Sequence, residues 1–407
     1  MPDDQLTLDE QLKGGITKIG SADLVVGIPS FRNAGTIGYV AATAAKGLRE
    51  HFPGARVAIV NADGGSQDGT PDRVVEGASG VPVAVGRYVG PPGKGSAFRA
   101  IFTAVGMLGA RACAVVDSDL RSITPEWIGR LLLPVTNGDA DYMTPLYARH
   151  KHDGTITNSV AYPLTRALYG LRVRQPIGGE FGFRADLARA YLDQPVWDTD
   201  VARFGIDIFM TTTAIARGAR VAQAFLGAKV HDPKDPAADL GPMFTQVVGT
   251  LFRMAAENEA MWSKVRGSKD VPLIGDVIPV EPEVVPAVAA RLREKYTAAK
   301  SAHEATWREI LSGPVPDKLD AATWARMVFD HLDAALRRPT ESEPLARSLL
   351  PLYQLRTATF IEEVRDMTTT QSETVIEDGA HAMEEEKGSF IERRSKQSKT
   401  EGRPATA

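Results

Sequence analysis

Cysteine is nearly absent. Cys113 is the single thiol in 407 residues, which excludes an intrachain disulfide and any multi-cysteine zinc site. It lies in the apolar run Cys113-Ala114-Val115-Val116, the setting of an inert buried thiol rather than a nucleophile. Long apolar runs are also missing: no stretch approaches the roughly 18–20 residues a membrane span requires. The acidic start Met1-Pro2-Asp3-Asp4 is followed by no apolar segment of signal-peptide type. A cytoplasmic protein is expected. An excess of one charge is lacking too, since 47 Lys and Arg against 51 Asp and Glu leave a net charge of −4. That balance offers no electrostatic reason for a nucleic-acid or anionic-membrane partner. What remains is a soluble globular composition, 43% hydrophobic and 24% charged, long enough for one large domain or two ordinary ones.

From residue 23 to about 230, short Val/Ile/Ala runs alternate with helix-like segments. That alternation predicts an α/β fold with a mostly parallel sheet covered by helices. Strands are expected at Leu24-Val25-Val26-Gly27-Ile28-Pro29, Val57-Ala58-Ile59-Val60, Val81-Pro82-Val83-Ala84-Val85 and the Cys113 run. Later strands are expected at Asp141-Tyr142-Met143-Thr144-Pro145 and Arg220-Val221-Ala222-Gln223-Ala224. Helices are expected over residues 35–50 and 95–108, and after Thr124-Pro125-Glu126, where Thr is the N-cap and Pro opens the first turn. Beyond 240 the chain changes character. Residues 241–264, 288–312, 320–338 and 357–385 carry helical periodicity, and 272–286 is a proline-broken linker. The expected division is an extension at 1–22, a sheet domain at 23–240, a helical region at 241–392 and a disordered tail at 393–407. The helical region packs on the sheet domain or on a second subunit, so a homo-oligomer is expected.

The chemistry collects at strand ends, where open α/β sheets bind ligands. Asp117-Ser118-Asp119 follows an apolar strand and forms an acidic ledge suited to a divalent metal and a diphosphate. Asp119 is the first metal ligand by this reading, and Asp117 contacts metal-bound water or the ribose. His231, after Ala228-Lys229-Val230, is the second metal candidate, weighed against a plain capping role. Asp63 and Asp68 flank a Gly-Gly-Ser turn. Asp63 is assigned to the nucleotide and Asp68 to capping the next helix. Pro91-Pro92-Gly93-Lys94-Gly95-Ser96 leads into a helix whose amides and Lys94 suit a phosphate, although the spacing is not a Walker A. Gly178-Gly179 permits close backbone approach, so that Glu180 faces the sugar. Asp207 offers a further carboxylate at a helix start, where pairing with the helix dipole is the competing account.

Together these motifs resemble the GT-A glycosyltransferases. The likeness falls nearest to the mannosylglycerate and glucosylglycerate synthases and the glucosyl-3-phosphoglycerate synthases. The matching order is Ile28-Pro29-Ser30, Asp63 with its turn, Gly93-Lys94-Gly95, Asp117-Ser118-Asp119-Leu120, Gly178-Gly179-Glu180 and His231. The resemblance implies a Rossmann-like nucleotide-sugar domain, Mg²⁺ or Mn²⁺ held by Asp119 and His231, Lys94 beside the diphosphate, and retention of anomeric configuration. Pro29, Ser30, Asp63, Lys94, Asp117 and Ser118 are the implied donor contacts. The usual Asn-Glu of the first motif is replaced here by Phe31-Arg32-Asn33.

The resemblance extends to an acceptor loop, Arg149-His150-Lys151-His152-Asp153-Gly154-Thr155-Ile156-Thr157. Phosphoglycerate enzymes carry Gly-Arg-x-Thr where this chain has Gly154-Thr155-Ile156-Thr157, so their phosphate-binding Arg is absent at 155. The mannosylglycerate pattern, an Arg eight residues before a Thr, is met by Arg149 and Thr157. With Gly154 and Thr155 these form the implied acceptor contacts, a guanidinium holding the carboxylate. The expected reaction moves glucose or mannose from a UDP- or GDP-linked donor to the 2-hydroxyl of D-glycerate. Glu180 and Asp207 steady positive charge on the sugar or orient its hydroxyls. The alternative acceptor is 3-phosphoglycerate, with Lys151 and His152 as another phosphate route. A polysaccharide or lipid acceptor stands behind it, and a non-catalytic nucleotide-sugar sensor last.

Overall fold

Leu24-Val25-Val26 and Val57-Ala58-Ile59-Val60 are continuous β-branched and apolar runs without alternation, as strands covered on both faces require. In the computed structural model, which describes residues 7–230, 240–278 and 280–400, they form two adjacent interior strands of an eight-stranded sheet. Its strands are β1 (Leu24–Ser30), β2 (Val57–Asp63), β3 (Val83–Arg87), β4 (Ala112–Val115), β5 (Tyr142–Ala148), β6 (Phe181–Arg184), β7 (Val221–Ala228) and β8 (Leu273–Ile274). The spatial order is β8-β7-β5-β6-β4-β1-β2-β3. Every neighbouring pair is parallel except those made by β6, which runs antiparallel to both β4 and β5. The reversal has a consequence for chemistry. The beginning of β6 lies at the pole where the parallel strands end, because Phe181 pairs with Val115.

Helices Ile37–His51 and Pro125–Asn137 cover one face of the sheet, burying Ile37, Val40, Leu48, Trp127 and Ile128 against Val26, Ile28 and Ile59. The helices Lys94–Met107, Ala185–Leu192 and Ile206–Ala216 carry a separate aromatic group. In it Phe102 meets Phe183 and Tyr191 with ring centroids 5.6 and 5.4 Å apart. Each fully buried side chain of this kind contributes about 1.5–3 kcal/mol.

The chain divides into two units. The sheet unit comprises Met1–Ala148, Ile177–Asp232 and Val271–Glu283; the helical unit comprises Arg149–Pro176, Pro233–Asp270 and Val284–Ala407. The expected single boundary near 240 is therefore replaced by an interleaved one. Residues 149–176 leave the sheet unit, and the chain returns to it so that Leu273–Ile274 can pair in parallel with β7. Part of the predicted linker is thus an edge strand. The extension at 1–22 holds a helix, Glu10–Ile19, capped by Asp9, whose carboxylate accepts the Leu12 amide at 2.8 Å.

In the helical unit the main elements are Tyr162–Tyr169, Leu240–Glu257, Ala289–Ile310, Ala321–Arg337, Ser342–Glu363 and Thr369–Thr400. A π-helical turn over Thr157–Ala161 precedes the first of them. Residues 393–400, expected to be disordered, continue the last helix. Phe390 packs on Trp262 and Phe329, and Arg394 pairs with Glu259 at 3.0 Å, which holds the polar end down. No helix among the described residues is long and apolar enough to cross a membrane.

Candidate active site at the carboxyl ends of the strands

Five charged side chains from distant parts of the sequence meet at the carboxyl pole of the sheet. Lys94 opens the helix Lys94–Met107, Asp117 follows β4, Glu180 precedes β6, Asp207 lies in the first turn of Ile206–Ala216, and Lys229 follows β7. Lys94 Nζ stands 2.8 Å from Asp117 Oδ1 and 3.2 Å from Asp207 Oδ1. Lys229 Nζ donates to Asp117 Oδ2 at 3.1 Å, to both Glu180 oxygens at 3.1 and 2.9 Å, and to the Gly178 carbonyl at 2.8 Å. Tyr147, near the end of β5, donates its hydroxyl to Glu180 Oε2 at 2.5 Å.

The glycines of the site are required by close approach. Gly179 has φ +100°, and a Cβ there would stand 2.4 Å from Asp117 Oδ2. A Cβ on Gly95 would stand 1.8 Å from the Val201 carbonyl, so only glycine lets the 201–203 segment close behind the Lys94 loop. The Gly95 amide donates to the Arg203 carbonyl at 3.1 Å in that contact.

Burial sets the electrostatics, and the balance of charge divides the carboxylates. Burial and the neighbouring charge of Asp117 push Glu180 up to about 7, against the pull of Lys229 and Lys94. Asp207 is also raised, chiefly by burial. Burial acts the same way on Asp117, but two ammoniums outweigh it and hold this carboxyl well below its usual range. For Lys94, burial disfavours the charge, yet Asp117, Asp207 and Glu180 together raise it above an ordinary lysine. A carboxylate raised by desolvation beside a specific charged partner is a functional-site candidate.

The other predicted donor residues divide into two groups. Asp119 is half-buried and has no hydrogen-bond or ion-pair partner among the described residues, so its oxygens are open to a hard cation. Asp63, by contrast, is buried and fully engaged. Ser30 Oγ donates to it at 2.6 Å, the Gly65 and Ser66 amides at 2.8 and 2.6 Å, and Ser66 Oγ at 2.9 Å. Both acids of that motif thus hold backbone, since Asp68 accepts the Thr70 amide and hydroxyl. Pro29 lies within β1, paired with Ala62. Ser118 Oγ donates to Asn33 Oδ1 at 2.8 Å, tying the ledge to the loop after β1. His231 lies outside the described residues, and no three metal-binding side chains stand together among those described.

The acceptor loop belongs to the helical unit. Arg149 pairs with Asp153 at 3.1 Å, and Gly154 has φ +64°. Thr155 is buried, its hydroxyl 2.6 Å from that of Tyr353. Thr157, also buried, opens the π-helical turn. Lys151 donates to the carbonyls of Val364, Arg365 and Met367 at 2.7, 3.0 and 2.7 Å, so its ammonium closes a helix end. His152 places Nδ1 3.2 Å from the Val285 carbonyl.

Lys229 and Tyr147 escaped the sequence reading. A lone lysine closing an apolar strand is ordinarily a solvated edge, and only the strand order brings it under Glu180. Tyr147 lies two residues beyond the expected strand at 141–145 and belongs to no motif.

No protein-family model matches the chain. A curated relative, the glucosyl-3-phosphoglycerate synthase of Persephonella marina, is 28% identical over 200 residues, which are 44% of this chain and 48% of the relative. The chain thus spans about half the length of that relative. The chain is also similar to solved structures of glucosyl-3-phosphoglycerate synthase from Mycobacterium tuberculosis. The complex with Mn²⁺, UDP and glucosyl-3-phosphoglycerate is 25% identical, covering 60% of this chain and 83% of that one at a TM-score of 0.46. The complex with Mg²⁺ and UDP is 24% identical, with coverage of 60% and 84% and a TM-score of 0.47.

Proposed function

We propose that the chain is a metal-dependent glycosyltransferase that moves glucose from a nucleoside diphosphate to a hydroxyl of 3-phosphoglycerate. The observation that carries the reading is the Lys94–Asp117–Asp207–Glu180–Lys229 cluster at the carboxyl pole, with the unpartnered Asp119 carboxylate next to it. The name of the curated relative supports glucose and the phosphorylated acid over mannose and free glycerate.

Asp119 would hold Mg²⁺ or Mn²⁺, with His231 as the second ligand, and that cation would neutralise charge on the leaving diphosphate. Lys94, at a helix start and already shared between two carboxylates, can exchange one of them for a phosphate oxygen. Glu180 is ion-paired to Lys229 and Asp207 to Lys94, which suits orienting sugar hydroxyls and steadying positive charge better than nucleophilic attack. Retention, which the resemblance to the GT-A synthases implies, would then need no enzyme nucleophile: the acceptor oxygen bonds to the anomeric carbon on the face the diphosphate leaves, and the departing phosphate takes the acceptor proton. Arg149 binds the acceptor carboxylate, with Gly154 and Thr157 shaping the loop.

A second acceptor, free D-glycerate, is favoured by one observation. Position 155 carries a threonine locked to Tyr353, and the ammonium of Lys151 is fully occupied, so neither supplies a phosphate contact. Nucleoside-diphosphate release with UDP-glucose, comparing 3-phosphoglycerate with D-glycerate, separates the two. Turnover with the phosphorylated acid supports the first reading. Turnover only with free glycerate transfers the assignment to the second, and turnover with neither rejects both.

A further inference from the structure

Lys94 and Lys229 bring the same charge to the site but are held differently. Lys94 is 15% exposed and bridges Asp117 and Asp207 from the start of its helix. Lys229 is only 5% exposed, and its three N–H groups are shared among four oxygens within 3.1 Å. Those oxygens belong to the end of β4 and to the 178–180 turn, segments 112 and about 50 residues away in the chain. The backbone beside Lys229 is pinned as well. The Val230 amide donates to Ser122 Oγ at 2.9 Å, and the Val230 carbonyl accepts the Arg121 amide at 2.9 Å. The Tyr147 ring centroid lies 5.4 Å from the ammonium while the tyrosine hydroxyl donates to Glu180. A Cβ on Gly179 would stand 3.0 Å from Lys229 Nζ, so the turn is shaped around this group.

We infer that Lys229 is the positioning residue of the site, a fixed buried counter-charge that holds Asp117 and Glu180 in place while Lys94 moves to the diphosphate. The inference rests on the glycosyltransferase reading. When a diphosphate draws Lys94 away, Lys229 is the lysine that stays with Asp117 and Glu180. Lys229 cannot follow, because its oxygens surround it and its backbone is tied. It therefore keeps the local charge tolerable and Glu180 aimed at the sugar. Lys229 itself touches no substrate in this account.

The test is kcat per nucleotide-binding site, the sites being counted by calorimetric titration with UDP and Mn²⁺. Glucosyl transfer is then measured from UDP-glucose to the better of the two acids. Lys229→Met is expected to lower kcat per site by about a hundred-fold, the scale of an ångström-sized misplacement. Lys229→Arg, which keeps the charge, is expected to recover most of that loss. A lysine that serves folding alone would reduce the number of sites and leave kcat per site unchanged, and that result overturns the inference. Should Lys229→Met give no folded protein, Tyr147→Phe replaces it, removing one hydroxyl from Glu180. It is expected to lower kcat per site about ten-fold, the scale of one hydrogen bond to a charged group. An unchanged value would again overturn the inference. Wild-type protein that neither binds UDP nor transfers glucose would instead reject the glycosyltransferase reading itself.

Discussion

Two charge clusters in this protein, each built on a buried cation, shift their glutamates in opposite directions. In the helical unit, Arg166 is fully buried and pairs with Glu377 at 2.6 Å and Glu384 at 3.1 Å. Tyr162 and Ser268 complete its hydrogen bonds. Burial alone would raise both glutamates, but their hydrogen bonds and the guanidinium outweigh it and hold them below the ordinary value. At the sheet pole two lysines face three acids, and there Glu180 and Asp207 are raised. One cluster is satisfied by its own partners and fastens helices together. The other leaves carboxylates poorly compensated, a condition a fold keeps where charge is to be received. The difference between structure and chemistry therefore lies in the balance of each cluster: pairing outweighs burial for the half-buried Glu377 and Glu384, and burial outweighs pairing for Glu180 and Asp207.

The comparison can be broken at several points. Asp119→Ala should have the largest effect, lowering turnover by about three orders of magnitude while leaving the unfolding midpoint near wild type. Near-normal turnover would remove Asp119 as metal ligand. Next, Lys229→Met should cost about 3–5 kcal/mol in urea unfolding, since it strands the buried Glu180 carboxylate, and Arg166→Met should cost less, since its partners Glu377 and Glu384 are 40% and 18% exposed. Only the lysine variant should lose turnover per folded molecule. Equal losses of turnover would erase the distinction between the clusters.

The pH dependence of stability should also have opposite sign in the two places. Glu180 is raised from 4.5 to about 7, so the folded state holds an extra proton between those values. Its contribution is fully present below about pH 4.5 and is lost as pH rises through 7. Glu377 and Glu384 are lowered, so their contribution is present above the ordinary value of 4.5 and is lost as pH falls below it. Unfolding free energies at pH 5 and 7.5 for wild type and Glu180→Gln test the first sign. The variant should lose the downward slope; an unchanged slope places the proton elsewhere. Smaller again, Arg149→Ala should weaken kcat/KM for the acid acceptor about ten-fold, the scale of a charge-assisted hydrogen bond, with the KM for UDP-glucose unchanged. Equal effects on both substrates would reject its acceptor role.

Much of the scaffold could be read from local pattern. The runs at Val25, Val57 and Cys113 are strands because they are apolar without alternation, and Thr124-Pro125 does open a helix. Asp117-Ser118-Asp119 stands out because its two acids join other polar strand ends at the pole where open α/β sheets bind ligands. Much of the rest is settled by contacts that residue pattern alone does not show. Asp63 looked like a ligand residue until Ser30 and Ser66 claimed both its oxygens. Lys151 looked like a phosphate contact until the end of the helix Ser342–Glu363, more than two hundred residues away, took its ammonium. Lys229 drew no notice because its partners lie 49 to 112 residues off. The helix Glu10–Ile19 is obscured in the sequence by Gly14 and Gly15, poor helix formers; a Cβ on Gly15 would stand 3.1 Å from the Ala84 side chain.

The most direct test of the account is UDP release by the purified chain with Mg²⁺ and UDP-glucose, in the presence and absence of 3-phosphoglycerate. The account predicts release that depends on the acid, needs the metal and disappears in Asp119→Ala. Release that is indifferent to the acid, or none with either phosphorylated or free glycerate, would contradict it.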